Sequence, residues 1–306
     1  MKENIKLAIL GGDARQSCLA AMLADRGFEC AVWGVCSNGE SVGSAVRCRD
    51  WISAVRSASA VILPLPASTD GVSVNCPSAT SGGREENLKL KLNTLLDAVN
   101  VPIFGGRFSE AFLASANEKG RKVIDYFDSE TLQIRNATPT AEGAISVAMS
   151  HLKITLCECR AVVVGYGRIG QRLSHLLGQM GARVTVAARG MRSLAQAASF
   201  GYSTMRIMEG VEGYGLNALC EYDGYDVIFN TVPVRIFDHS LLSRLPKNIL
   251  LIDLASVPGG VDFLAAKEED IRAVWALSLP GKYAPVSAGR IIGETLLEYL
   301  ESEGIV

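Results

Sequence analysis

Gly165-Tyr166-Gly167-Arg168-Ile169-Gly170 follows the β-branched run Ala161–Val164 and precedes a helix-compatible run, Gln171–Met180. GxGxxG between a strand and a helix is a dinucleotide-binding fingerprint. Gly165 permits the sharp turn, Gly167 lets a pyrophosphate approach the backbone, and Gly170 permits close helix–strand packing. The backbone of Arg168 and Ile169 then opens the helix, whose first amides and dipole favour anionic oxygens. Alternatively, the glycines only shape a turn. The flanking strand and helix, with a second strand at Arg183–Ala188, favour the nucleotide reading.

The second strand bears on which nucleotide. An NAD site carries Asp or Glu about 20 residues on, bonded to the ribose 2′-hydroxyl. Here the strand ends Ala187-Ala188-Arg189, with Arg192 close behind and no acid at its tip. A carboxylate would repel a 2′-phosphate, whereas guanidinium groups hold one by charge-assisted hydrogen bonds. The expected cofactor is NADP; the alternative is that Arg189 and Arg192 are solvated. Two later strands end in the same region. Asp226–Phe229 runs into Asn230-Thr231-Val232-Pro233, and Leu250–Asp253 into Leu254-Ala255-Ser256. Ligands gather beyond the carboxyl ends of strands in such sheets. Thr231, Val232, Pro233, Ala255 and Ser256 are therefore expected to wall the cofactor. Asp253 is either a loop-start residue bonding nearby amides, the favoured reading, or a catalytic acid.

A second group of residues has the character of an anion site. Gly11-Gly12-Asp13-x-Arg15 follows the first strand but lacks the third glycine of a nucleotide loop. It reads as a strand end at which Gly11, Gly12, Asp13 and Arg15 bind a carboxylate substrate, or as a helix start capped by Asp13 with Arg15 in solvent. Thr140, expected among the substrate contacts, precedes the helical run Ala141–Leu152, and Glu142 in its first turn is either a proton acceptor or a first-turn acid favoured by the helix dipole. Lys282 lies in the Pro/Gly-bounded stretch Leu279–Gly289, read as a loop, and can meet a second carboxylate or the cofactor. His151, His175 and His239 sit where surface or packing roles are expected.

Short apolar runs alternating with longer helical stretches must position these groups, which is the pattern of parallel sheets flanked by helices. Strands are expected at Ile5–Leu10, Glu29–Trp33, Ala60–Leu63 and Pro102–Phe104, and helices at Arg15–Arg26 and Asn87–Val99. Ala67–Arg84 reads as a long loop, and Ser109 as the cap of another helix. The 306 residues suit two domains of about 150 each. The expectation is an α/β chain of two Rossmann-like doubly wound parallel-sheet domains with a cleft between them. Residues 1–140 would form a substrate and partner domain and 141–287 the NADP-binding domain, with the terminal helix 288–306 packing back on the first. Lys+Arg 30 against Asp+Glu 32 leaves no basic excess for nucleic acid. No apolar run approaches the roughly 20 residues of a membrane helix, and the amino terminus does not read as a secretory signal. Eight scattered cysteines read as reduced thiols of a cytoplasmic protein, and Cys157-x-Cys159 lacks the partners of a metal site.

Taken together, Gly11-Gly12-Asp13-Ala14-Arg15-Gln16, Leu63-Pro64-Leu65-Pro66 with Asp70-Gly71, Pro139-Thr140-Ala141-Glu142-Gly143-Ala144, the Gly165–Gly170 turn and Pro280-Gly281-Lys282 to Ala288-Gly289 resemble the family of dipicolinate synthase A subunits. The similarity runs through nearly the whole chain in order. It implies an oxidoreductase making dipicolinate during bacterial sporulation from a dihydro- or hydroxytetrahydro-dipicolinate of the lysine pathway, in the mother-cell cytoplasm. It also implies that the partner is the flavoprotein-like B subunit of dipicolinate synthase; a homo-oligomer is possible. Two rivals stand beside it. One is an NADP-binding partner polypeptide without chemistry of its own. The other is a D-2-hydroxy-acid dehydrogenase, disfavoured because that chemistry uses a late histidine and none follows His239.

Overall fold

The computed structural model describes residues 5–35, 41–77, 89–207, 218–221 and 224–306. The chain forms two compact units, Met1–Asn136 with Pro280–Val306, and Ala137–Leu279. The expected helix start at Asn87 and residues 78–84 of the expected loop lie outside the described residues.

The first unit contains β1 (Lys6–Leu10), α1 (Ala14–Asp25), β2 (Glu29–Trp33), β3 (Val46–Arg47), α2 (Trp51–Val55), β4 (Ala60–Ile62), α3 (Leu92–Ala98), β5 (Ile103–Gly105), α4 (Glu110–Glu118) and β6 (Val123–Asp125). Its six-stranded sheet has the order β3-β2-β1-β4-β5-β6, with every pair parallel. Strands covered on both faces need apolar residues at every position, and β1 shows why. Leu7 and Ile9 pack in one layer with Leu19 and Leu23 of α1, while Ala8 and Leu10 pack in the other with Leu92, Leu95 and Leu96 of α3.

One continuous helix, α5 (Glu130–His151), carries the chain from the first unit into the second. The sequence places the start of this helix after Pro139, because proline removes a helix N–H and disfavours helix for its predecessor. Instead Pro139 lies inside α5. Buried Leu132 precedes it, and buried Ala141, Ala144 and Ala148 follow, so packing on both sides offsets the roughly 3 kcal/mol an interior proline costs.

The second unit contains β7 (Arg160–Val164), α6 (Arg168–Gln179), β8 (Arg183–Ala188), α7 (Met191–Ser199), β9 (Ser203–Arg206), α8 (Ala218–Glu221), β10 (Val227–Asn230), α9 (His239–Leu242), β11 (Leu250–Asp253), α10 (Phe263–Glu268) and β12 (Arg272–Trp275). Its parallel sheet reads β9-β8-β7-β10-β11-β12. Relabelled from its own first strand, that is the order 3-2-1-4-5-6, as in the first unit. Both units are doubly wound and Rossmann-like, as the alternating pattern predicted.

After β12 comes α11 (Leu279–Tyr283), a short helix where a loop was expected, and then α12 (Pro285–Ser302). α12 starts a turn before the expected Ala288, since Pro285 suits a first helical position. Its buried face, Ile291, Ile292, Leu296 and Leu300, packs with Leu19 and Leu23 of α1. A Cβ at Gly289 would lie 2.6 Å from the Arg15 carbonyl oxygen, so the two helices approach closely only with glycine there.

The described cysteines are free thiols. Burial pushes the Cys30 thiol up to about 12 and the Cys159 thiol up to about 11, whereas the Cys157 side chain is exposed. Thiolate is the reactive form. Alkylation at neutral pH should therefore mark Cys157 in the folded protein, and Cys30 and Cys159 only after denaturation. Peptide mass spectrometry reads the order, and equal rates at Cys157 and Cys159 would contradict the packing. Among the described residues no cluster of His, Cys, Asp or Glu could hold a metal, and no helix is long and apolar enough to cross a membrane.

Candidate functional site

The three glycines after β7 do three different things. Gly165 has φ +94°, its N–H donates to the Ala187 carbonyl at 2.8 Å, and a Cβ there would run into the Thr231 hydroxyl and Val232. A Cβ at Gly170 would collide with the Gly165 carbonyl, so α6 meets the end of β7 only because that position is bare. Gly167 has ordinary extended backbone, φ −81° and ψ −165°, and a Cβ there would meet nothing within 4 Å. Gly167 also leaves α6 without a side-chain cap. The backbone at Arg168 and Ile169 thus begins a helix beside open space, and the positive end of the dipole favours an anion there. This arrangement fits a dinucleotide diphosphate.

A buried polar cluster shapes the adjoining wall. Asp253, at the end of β11 and 0% exposed, accepts from the Ala255 N–H at 3.1 Å, the Gly260 N–H at 2.8 Å and the Asn230 side-chain amide at 2.8 Å. Asn230 in turn brackets the Thr231–Val232 turn. Its Nδ2 donates to the Val232 carbonyl and its Oδ1 accepts from the Val232 N–H. The Thr231 hydroxyl donates to the Val164 carbonyl at 2.9 Å. Thr231, Val232 and Ser256 are half-buried, Pro233 is exposed and Ala255 is buried, with its carbonyl accepting from the Trp275 indole at 2.9 Å. Both Asp253 oxygens serve these loops, which is the amide-bonding role favoured for it. Sequence reasoning did not foresee its pairing with Asn230.

At the end of β8, Ala188 is buried and Arg189 exposed; exposed Arg192 lies in the first turn of α7, which holds no acidic residue.

The turn after β1 is packed differently. The Gly11 N–H donates to the Trp33 carbonyl and the Gly12 N–H to the Asn75 carbonyl, each at 2.8 Å. A Cβ at Gly12 would collide with the Gln16 side chain, and one at Gly11 would lie 2.7 Å from the Asn75 carbonyl oxygen. The two glycines are thus enclosed by the Asn75 loop and by the Gln16 side chain of α1 itself. Asp13 caps α1 by accepting from the Arg15 N–H at 3.0 Å. Arg15 is not in solvent but 7% exposed. Its Nε and Nη2 donate to Asp13, and Nη2 also donates to the Leu65 carbonyl at 2.6 Å. Gln16 is 1% exposed, and neither atom of its amide has a hydrogen-bond partner among the described residues. A buried polar group left so costs about 1–3 kcal/mol. No sequence pattern signalled that amide or the Asn75 contact.

Thr140 is buried in α5, and Glu142 is exposed on it. Because α5 begins at Glu130, Glu142 stands deep in the helix and the first-turn explanation for it fails. Lys282 is exposed on α11 rather than on a loop. Glu142 and Thr140 belong to the second unit, Lys282 and Arg15 to the first. His151 and His175 are exposed on helices, and His239 faces Glu269 at 3.4 Å on the surface.

Comparison with known proteins agrees with this architecture. Residues 6–127 match the family model of the N-terminal domain of the dipicolinate synthase A subunit. The chain is 31% identical to the A subunit of dipicolinate synthase from Bacillus subtilis, covering 98% of this chain and 97% of that one. The crystal structure of the corresponding A subunit from Bacillus halodurans matches with a TM-score of 0.81 at 26% identity, covering 97% of each chain. That of the Bacillus subtilis protein matches at 0.79 and 29% identity, covering 98% of this chain and 96% of that one. The motif-borne resemblance thus extends over the whole length, and the chain belongs to the family of dipicolinate synthase A subunits.

Proposed function

We propose that this chain is an NADP-dependent oxidoreductase subunit that forms dipicolinate, pyridine-2,6-dicarboxylate, from dihydrodipicolinate or its hydroxytetrahydro precursor. The open, uncapped α6 start at Gly167 carries the reading, within a family named for making dipicolinate. The backbone of Gly165, Gly167, Arg168, Ile169 and Gly170 receives the diphosphate, and Arg189 and Arg192 the 2′-phosphate. Thr231, Val232, Pro233, Ala255 and Ser256 bound the remainder of the nucleotide. When bound, the nicotinamide supplies an acceptor for two electrons and one hydrogen.

The hydroxytetrahydro precursor must first lose water to give the dihydro ring; a dihydropyridine dicarboxylate then becomes aromatic by losing that hydride and one proton. Aromatic stabilisation drives the loss, so the protein's part is to align the ring and exclude water. The substrate is a dianion, and the first unit's Arg15 and Lys282 answer its carboxylates, whereas the Gly11 and Gly12 N–H groups are already taken by the Trp33 and Asn75 carbonyls. Among the described residues the Arg15 bonds use Nε and Nη2, which leaves Nη1 for a carboxylate oxygen. Glu142, exposed, takes the proton or passes it to water. The partner is the flavoprotein-like B subunit, and the setting is the mother-cell cytoplasm of a sporulating bacterium.

Two measurements test this. Fluorescence titration should show NADPH binding at least about tenfold more tightly than NADH, a difference of about 1.4 kcal/mol. The purified chain should then reduce NADP⁺ when given the cyclic dihydro-dicarboxylate. No uptake of NADPH, or preference for NADH, overturns the cofactor assignment. Uptake with turnover only after the B subunit is added would make this chain a nucleotide-binding partner without chemistry of its own.

A further inference from the structure

β8 and β9 run parallel, and their last residues, Ala188 and Arg206, are register partners. The Ile207 N–H donates to the Ala188 carbonyl at 3.0 Å, so the two strands stay paired to their carboxyl ends. Side chains alternate between the faces of a strand. Ala187 and Met205, also partners, pack in the layer that holds Ile207 and Phe237. Ala188 packs in the opposite layer with Leu194 and Ala197 of α7. Arg206 therefore belongs to the α7 face, at the corner where α7 begins and where Arg189 and Arg192 follow β8. It is exposed, at the end of a largely polar edge strand.

We infer that Arg206 is a specificity-determining residue, a third cation for the adenosine-ribose 2′-phosphate, supplied by the neighbouring strand rather than by the loop after β8. The inference rests on the NADP reading above and adds a residue that the GxGxxG-to-arginine spacing does not reach. A phosphate dianion offers three acceptor oxygens, and a guanidinium binds two of them in parallel. Arginines from two strands can then grip different edges of one phosphate. An NADH ribose, with a hydroxyl in that place, gains nothing from Arg206.

The test compares wild type with Arg206→Ala, using 2′,5′-ADP, 5′-ADP, NADPH and NADH as calorimetric probes. Arg206→Ala is expected to weaken 2′,5′-ADP and NADPH by roughly tenfold, with 5′-ADP and NADH unchanged. Its thermal midpoint should match wild type, because the removed side chain is exposed; if it melts early, Arg206→Gln keeps the stem and replaces it. Equal weakening of all four ligands, or an undiminished preference for the phosphorylated pair, overturns the inference while leaving the NADP reading intact. A wild-type protein that does not prefer 2′,5′-ADP over 5′-ADP overturns both.

Discussion

Gly167→Asp is expected to abolish useful nucleotide affinity, weakening NADPH by about 100-fold or more, while the second unit stays as stable as wild type or gains up to about 1 kcal/mol. The two effects have opposite signs for a physical reason. Gly167 has a backbone conformation open to any L residue, and a side chain there meets nothing within 4 Å. It is also the N-cap of α6 and supplies no cap of its own, so aspartate adds a favourable one. That same carboxylate would sit where the diphosphate must lie. Two like charges about 4 Å apart repel by about 4 kcal/mol at the effective dielectric of a protein surface. Gly170→Ala makes the contrast, since its Cβ would strike the Gly165 carbonyl and disturb folding and binding together. Thermal melts with parallel NADPH titrations separate the cases. A Gly167→Asp protein that keeps wild-type affinity would show that the diphosphate lies elsewhere.

Asp253→Ala should be the most destabilising change near the site, by about 3–5 kcal/mol. It strips two buried backbone N–H groups, of Ala255 and Gly260, and the Asn230 amide of their acceptor. That is a large share of the 5–15 kcal/mol typical of a folded domain. Asp253→Asn keeps the shape but turns one accepting oxygen into a donor facing another donor, so it also destabilises. Urea denaturation reads both. If Asp253 instead served catalysis, the asparagine variant would lose turnover with its unfolding midpoint unchanged.

The fold was most legible where strands are buried on both faces. β2, β8 and β11 fall at their expected bounds because their buried middles are apolar on both faces, while the charged Glu29, Arg183 and Asp253 stand at strand ends. The edge strands β3, β9 and β12 escaped notice. Val46–Arg47 is two exposed residues, Ser203–Arg206 is mostly polar, and Arg272 opens β12, since an edge needs no such apolar middle. Pro139 misplaced the start of α5 because local propensity was overridden by packing along the helix. Within the site, local features were readable: the glycine turn after β7, and Asp13 as a cap two residues from its donor. Contacts between distant segments were not. Asn230 meets Asp253 across neighbouring strands, and Asn75 returns to Gly12 through a loop with no periodic signal. Such pairings exist only once the strand order is known.

The contrast between the two glycine turns reaches into stoichiometry. Both sheets share one winding order, so a protein built this way has two places where a nucleotide tail could enter. In the first unit the N-cap that matches Gly167 is Asp13, whose carboxylate already caps α1 and pairs with Arg15 where the diphosphate would have to lie. Calorimetric saturation should therefore come at a single molar equivalent of dinucleotide per polypeptide, despite the twofold repetition of the scaffold.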